Sequence, residues 1–312
     1  MDEFVYILKR ILQMIPVLII VTVLIFFGMR MIPGDPALLM LGNRASDEAL
    51  AMMHVKLGFD KPLMIQYFLF LRDCVLFRFG DSITLRMPIT ELFKQKAAIT
   101  ISLTAMTILF DVLISVPLGI YCGMHKDSKL DTFLNSASLV FVSIPEFLIG
   151  LVLLMLLAVR IHVFPVGGWG NSFGEHIRSL ILPSLTGALM TSSLVMRNIR
   201  ENVIKVLSMD YVDFARSKGL PEIWVRMRYV LRNVLIPAVT LLAMRMTAML
   251  AGSIVIESIF ALPGIGQMML NAILARDYPL VQATVYLFAL IVMIMNLITD
   301  VSYSILDPRV KL

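Results

Sequence analysis

The sequence is short of charge, cysteine and histidine, and each shortage removes a class of function. Charged residues make up 16% of the 312 positions, against roughly a quarter in soluble domains, while apolar residues reach 59% and the mean hydropathy is +0.87. A water-soluble fold is excluded on that balance. The only cysteines are Cys74 and Cys122, too few for a disulfide framework or a cysteine-rich metal centre. The four histidines are His54, His125, His162 and His176, and no two have the i, i+4 spacing that puts a pair of ligands on one helix face. Each therefore reads as a loop residue rather than a ligand. Lys and Arg (27) exceed Asp and Glu (22) by a margin that sets membrane topology rather than nucleic-acid binding. No Gly-x-x-x-x-Gly-Lys-Ser/Thr loop for ATP phosphates and no Gly-x-Ser-x-Gly elbow for a hydrolase occurs.

What the sequence has in quantity is long apolar runs. A helix rises about 1.5 Å per residue, so about 20 residues cross about 30 Å of hydrocarbon with every amide satisfied internally. Runs of that kind extend from Ile11 to Met31, Ile99 to Cys122, Phe133 to Val159, Leu180 to Met196, Val234 to Ile256 and Leu280 to Leu306, the fourth being the shortest. They predict an all-α membrane protein of about six transmembrane helices, the first an uncleaved span. Basic residues gather before the first span (Lys9, Arg10), after the second (Lys126, Lys129) and between the fourth and fifth (Arg197, Arg200, Lys205, Arg216, Lys218, Arg226, Arg228, Arg232). Because positive loops stay in the cytoplasm, both termini are expected there, Cys74 outside, and Cys122 near the inner end of the second span.

The chain thus divides into residues 1–98, one span plus an extracytoplasmic segment, and residues 99–312, a five-helix core with a cytoplasmic loop at about 197–232. In the outer segment Ser46 can cap a helix ending near Gly58, Pro62 can open another and Pro88 a third, predicting short surface helices that act as a lid or as a docking surface.

The loop at 197–232 is basic, helix-forming and too polar to enter the membrane. Its centre, from Met209 to Pro221, reads as a helix stopped by Gly219, which tolerates positive φ, and by Pro221, which cannot continue a helix. A rigid helix held beneath the spans can pass a push from a cytosolic motor to the bundle; the alternative is a plain connector. Three charges fall near mid-span: Asp111, Glu146 beside Pro145, and Arg245. Burying each costs roughly 2.5–3.5 kcal/mol on insertion scales, which implies an ion pair or a polar pathway lining. The 23 methionines read as core filler rather than a soft-metal path. Gly119, Gly150, Gly187, Ala251 and Gly252 read as close helix contacts.

At this point the sequence resembles the inner-membrane permeases of ABC importers, in particular the peptide and nickel branch. The family's Glu-Ala-Ala-x-x-x-Gly loop corresponds to Asp213-Phe214-Ala215-Arg216-Ser217-Lys218-Gly219, with Asp and Phe standing where Glu and Ala are usual. The branch's own form, Asp-Tyr-x-x-x-Ala-Arg-x-Lys-Gly-Leu, is followed from Asp210 to Leu220. Ile32-Pro33-Gly34-Asp35-Pro36, Leu57 to Pro62, Leu231-Arg232-Asn233, Leu262 to Gly266, Arg276-Asp277-Tyr278-Pro279 and Asp307-Pro308-Arg309 are similar to other branch segments. The resemblance implies a type I importer fold in the plasma membrane of a bacterium or archaeon, with a second homologous permease, two cytosolic ATPases that bind ATP and Mg, and an extracytoplasmic substrate-binding protein. It implies that Asp210, Asp213, Ala215, Arg216, Lys218, Gly219 and Leu220 form the ATPase-coupling loop, and that the chain carries no cofactor, catalytic residue or metal of its own. Di- or oligopeptides are the expected cargo, with nickel chelates or glutathione as alternatives. A secondary transporter using Asp111 and Glu146 as proton carriers is the competing class, although no inverted repeat is visible.

Overall fold

The computed structural model describes residues 3–31, 37–38, 46–231, 233–234, 238, 242 and 254–306. Among them the secondary structure is helical apart from one isolated antiparallel bridge, Asp81 to Pro88. The chain forms two compact units: one from Met1–Ile99 with Pro263–Leu297, the other from Thr100–Leu262 with Ile298–Lys311.

The first unit begins with α1 (Glu3–Met31), the most apolar span among the described residues. Next comes α2 (Asp47–Leu57), whose Ser46 hydroxyl accepts the Ala49 amide at 3.3 Å and which ends on Gly58 at φ 72°. Pro62 opens α3 (Leu63–Val75). A tight loop follows in which the Ile89 amide donates to the Gly80 carbonyl at 3.0 Å. It leads into α4 (Ile89–Met124), whose remaining length belongs to the second unit. The unit is completed by α10 (Ile265–Leu274) and α11 (Tyr278–Leu306), the latter ending in the second unit. Met29, Ile89, Leu92, Ile265, Met268 and Val281 make its core. Asp277, fully buried, closes it: its carboxylate accepts the Ser82 hydroxyl at 2.5 Å, the amide and hydroxyl of Thr84 at 2.9 Å each, and the Leu280 amide at 3.2 Å, so it caps α11 while holding the loop.

The second unit packs α4, α5 (Lys129–Ser143), α6 (Glu146–Leu153, continued as a π-helical turn Leu154–Arg160) and α7 (Phe173–Leu207). A capping box of Ser172 and Glu175 starts α7. It then carries α8 (Asp210–Ser217) and α9 (Glu222–Trp224, continued as a π-helical turn Val225–Leu231). Small residues set the packing: a Cβ on Gly119 would lie 2.8 Å from Ile199, on Gly150 3.1 Å from Thr186, and on Gly187 3.0 Å from Ile256. These are the close contacts the sequence predicts at Gly119, Gly150 and Gly187; Ala251 and Gly252 lie outside the described residues.

Among the described residues four helices are long and apolar enough to span a membrane, and the bent pair α5 and α6 forms either a fifth, broken span or a re-entrant loop. Four expectations are corrected. The third run is not one helix, because at Ile144-Pro145 the chain bends by 106°. The cause is physical, since Pro145 lacks an amide and pushes Ile144 to ψ 130°. The helix opened at Pro88 is no short surface helix but runs unbroken into the second span. The short fourth run is the 35-residue α7, so Arg197, Arg200 and Lys205 are helical rather than loop residues. Likewise His54 lies within α2 and His176 in the first turn of α7, where it stacks on Trp169 at 4.3 Å. The predicted fifth span lies almost wholly outside the described residues, as do Ile32–Pro36, Arg232 and Asp307–Arg309. Both cysteines are free and buried; burial, with Asp73 adding to it, pushes the Cys74 thiol up to about 12.

Candidate coupling surface

The segment after α7 is a helix, a sharp turn and a second helix, and its construction follows from local sequence. In α8 the apolar positions Val212 and Ala215 are three apart, so they share one face. Both are buried against Val203 and Val206 of α7 and Val225 and Val230 of the following turn. Ala215 is 3% exposed, so a larger residue there would have to displace its neighbours. Asp210 and Asp213 occupy the first turn of α8, where a carboxylate complements the helix dipole.

The helix ends in a Schellman motif. Gly219 sits at φ 75°, its amide donates to the Arg216 carbonyl at 2.9 Å, and the Leu220 amide reaches the Ala215 carbonyl at 3.4 Å. A Cβ on Gly219 would meet nothing within 4 Å, so the demand for glycine is set by backbone conformation and not by space. Pro221 then starts α9 at φ −55°.

Side chains brace the turn from outside. Arg216 donates to Glu222 at 3.1 Å across it and to Asp213 at 3.4 Å behind it, and Arg226 reaches Glu222 at 3.4 Å. The Arg216 hydrogen bonds hold the Glu222 carboxyl below the usual carboxylate range, and Glu222 in return raises Arg216. The Lys218 ammonium lies 4.5 Å from the Phe214 ring centre. Asn233 donates to the Tyr229 carbonyl at 2.6 Å and the Tyr211 hydroxyl at 3.3 Å.

The outer face of this element is apolar and open. Ile223 (64% exposed), Trp224 (57%) and Met227 (58%) stand on it, and Phe214 (60%) is open on α8. Ile223, Trp224, Met227 and Arg228 line a cleft of about 410 Å³. Aromatic and methionine side chains presented on a rigid helix pair, with basic residues around them, are the composition of an interface core. The sequence motif found the acidic and glycine positions; it did not find Ile223, Trp224 and Met227, whose signal was a cluster of large apolar residues in an otherwise polar stretch.

The mid-span charges are placed as follows. Asp111 is fully buried in α4. Glu146 opens α6 and is half-buried, with its carboxylate 3.4 Å from where a Cβ on Gly187 would stand, beside Thr107 of α4. Arg245 lies outside the described residues. Two further buried acids among the described residues of the second unit escaped the sequence reading. Glu257 accepts the Thr100 hydroxyl at 2.7 Å. Asp131 takes a two-pronged hydrogen bond from Arg200 at 2.6 and 2.7 Å, joining α5 to α7 across 69 residues of sequence.

Residues 115–312 match the family described as binding-protein-dependent transport system inner membrane component, and residues 3–104 match its N-terminal membrane component. A peptide transport system permease protein of Brucella abortus (strain 2308) is 35% identical, with 98% of each chain covered. A glutathione transport system permease protein of Salmonella typhimurium (strain LT2) is 34% identical over 98% of each. Among solved structures the inward-facing MetNI methionine ABC transporter matches with a TM-score of 0.56 at 15% identity, over 70% of this chain and 98% of that one. An amino acid ABC transporter crystallised with histidines matches at 0.52 and 15%, over 69% and 94%. The all-helical fold with its small-residue seams is therefore that of a type I ABC importer permease. By the family match and the full-length likeness to both relatives, this chain belongs to the binding-protein-dependent transport system inner membrane components, the multi-pass permease subunits of ABC importers.

Proposed function

We propose that the chain pairs with a second homologous permease to form a pathway for di- or oligopeptides. An extracytoplasmic binding protein delivers the peptide, and two cytosolic ATPases, which bind ATP and Mg, drive transport. Both termini face the cytoplasm of a bacterial or archaeal cell. The observation that carries this reading is the α8–α9 element: a braced helix pair that leaves Phe214, Ile223, Trp224 and Met227 exposed. A solvated connector has no reason to keep four large apolar groups in water, whereas a surface that docks an ATPase does. In this assignment Asp210, Asp213, Arg216 and Lys218 orient the docked helix, while Ala215, Gly219 and Leu220 fix its direction.

A peptide cargo is supported by the Brucella relative's name and by the wide sequence likeness; the Salmonella relative's name supports glutathione, itself a small peptide derivative. Asp111, Glu146 and Arg245 serve as polar pathway lining or as an intramembrane ion pair. A double-mutant cycle on stability separates the two, since a paired Arg245 couples to one carboxylate and an unpaired one gives additive effects. The cargo is tested in vesicles holding both permeases and both ATPases, with uptake of labelled di- and tetrapeptides, glutathione and nickel measured in parallel. ATP-dependent peptide uptake is expected; uptake that continues without the ATPases contradicts the whole reading.

A further inference from the structure

We infer that α3 lies in the membrane interface as a lipid-binding helix, its apolar face seated among the acyl chains of the outer leaflet, rather than standing clear of the bilayer as a surface helix. In this the side of the membrane rests on the topology proposed above.

The face pattern comes first. One arc of α3, at Gln66, Tyr67, Phe70 and Cys74, is wholly or partly buried against its own unit. A second arc carries Met64, Phe68, Leu71 and Val75 at the i, i+4, i+7, i+11 positions of one helical stripe. Three of these are open, Met64 at 66%, Phe68 at 63% and Val75 at 64%. The third arc holds Arg72 and Asp73, paired with each other at 2.8 Å, with Ile65 and Leu69 between them. A water-exposed helix would not put its longest apolar stripe outward. An interfacial helix has this division: protein on one side, lipid below, charge toward the headgroups.

Depth comes from the register against α1. The hydroxyls of Tyr67 and Thr22 are 3.1 Å apart, and Phe26 meets the Tyr67 ring at 5.4 Å and the Phe70 ring at 5.8 Å. Arg30 donates to Gln66 at 2.5 Å and marks the outer limit of the α1 hydrocarbon run, as Arg10 marks the inner. At about 1.5 Å per residue, Thr22 lies about 12 Å inside the level of Arg30. Tyr67 therefore reaches below the headgroups, and the Arg30 guanidinium that holds Gln66 is itself folded back over the Phe26 ring, 3.4 Å from its centre, about one turn inside the Arg30 backbone. A second register agrees: Phe79, just past α3, packs at 6.0 Å on Tyr286, two turns into α11.

The occupant follows from continuity. α1 itself exposes Ile20, Leu24 and Phe27 around the level that α3 contacts, and these belong to a helix long and apolar enough to span a membrane, with only 11% of its most apolar stretch buried. The Met64–Phe68–Val75 stripe extends that surface on the adjoining helix.

The test uses the assembled transporter in phosphatidylcholine–phosphatidylglycerol vesicles, with nitroxide labels on Met64→Cys, Phe68→Cys and, as a reference, Asp60→Cys. Both native thiols are buried, so the unsubstituted chain serves as the unlabelled control. Relaxation by dissolved oxygen, which concentrates in the bilayer, is compared with relaxation by a water-soluble nickel chelate. Positions 64 and 68 should favour oxygen several-fold and Asp60 should favour nickel. Nickel dominance at 64 and 68 would place the stripe in water; exclusion of both reagents would mean that a protein partner covers it. Either result overturns the inference. A membrane-impermeant thiol reagent at Asp60 reports the sidedness separately, so a failed topology and a failed lipid contact are told apart.

Discussion

The α4–α7 seam and the α8–α9 turn belong to one compact unit and are held together by opposite means. In the seam, glycines face side chains with no room between: a Cβ on Gly123 would lie 2.6 Å from Val203 Cγ1 and 3.0 Å from the Arg200 carbonyl. Beside it the Asp131–Arg200 pair is buried on the acid side. In the turn, Gly219 has open space around it, the ionic braces are solvated, and the apolar groups point outward. Volume specifies the seam and backbone conformation specifies the turn. A packed seam moves as a body, and a turn of fixed direction can deliver a push to it.

Breaking the buried pair should have the largest effect. Arg200→Met leaves the Asp131 carboxylate without its cation, a loss of about 3–5 kcal/mol, whereas Arg200→Met with Asp131→Asn should recover most of it. Thermal unfolding in detergent and membrane abundance check this; single and double variants that behave alike would remove the pair from the account. Next, Gly123→Val overpacks the seam and should cost roughly 1–3 kcal/mol, while Gly174→Ala, where a Cβ meets nothing within 4 Å, should be silent in the same assay.

In the turn the effects shrink. Glu222→Gln removes the Arg216 brace between groups that are both over a third exposed, so the loss should stay below about 1 kcal/mol. The sign in pH is fixed: Arg216 depresses the Glu222 pKa, so the brace is fully present above the ordinary glutamate value of about 4.3 and is lost as pH falls through the lower, folded value. A shift of uptake activity at neutral pH larger than the stability change would show that Glu222 contacts the ATPase directly. Smallest of all, Asp213→Glu keeps the charge at a side chain 70% exposed and should leave uptake unchanged.

The same contrast explains what the sequence disclosed. Signals written in the local backbone were legible: Ser46 and Gly58 bounding α2, Pro62 opening α3, and Gly219 with Pro221 making the turn. Signals that depend on tertiary placement were not. α7 reads as a short span because polar and charged residues flank the apolar run from Leu180 to Met196, with Glu175, His176 and Arg178 before it and Arg197, Arg200, Glu201 and Lys205 after it. Inside that run Ser184, Thr186, Ser192 and Ser193 are buried with their hydroxyls satisfied: Thr186 donates back to the Leu182 carbonyl at 2.9 Å and Ser193 to that of Leu189 at 2.8 Å, while Ser184 reaches the Leu103 carbonyl of α4 at 3.4 Å, so a polar stretch is stable at the centre of a bundle. Arg200 was counted as a topological loop charge because its partner Asp131 is remote in sequence. Pro145 was legible as a perturbation but not as a bend of 106°, since the angle depends on what the two half-helices pack against.

The central claim, that the α8–α9 turn couples ATP hydrolysis to the spans, is tested most directly at Gly219. In Gly219→Val a β-branched residue is forced to φ 75°, at a cost of about 1–2 kcal/mol, without touching the seam. Uptake and substrate-stimulated ATP hydrolysis are measured in vesicles containing the full transporter and its binding protein. The account predicts wild-type abundance in the membrane and intact assembly, with both uptake and stimulated hydrolysis lost. A Gly219→Val transporter that assembles with its ATPases and imports at the wild-type rate would contradict it.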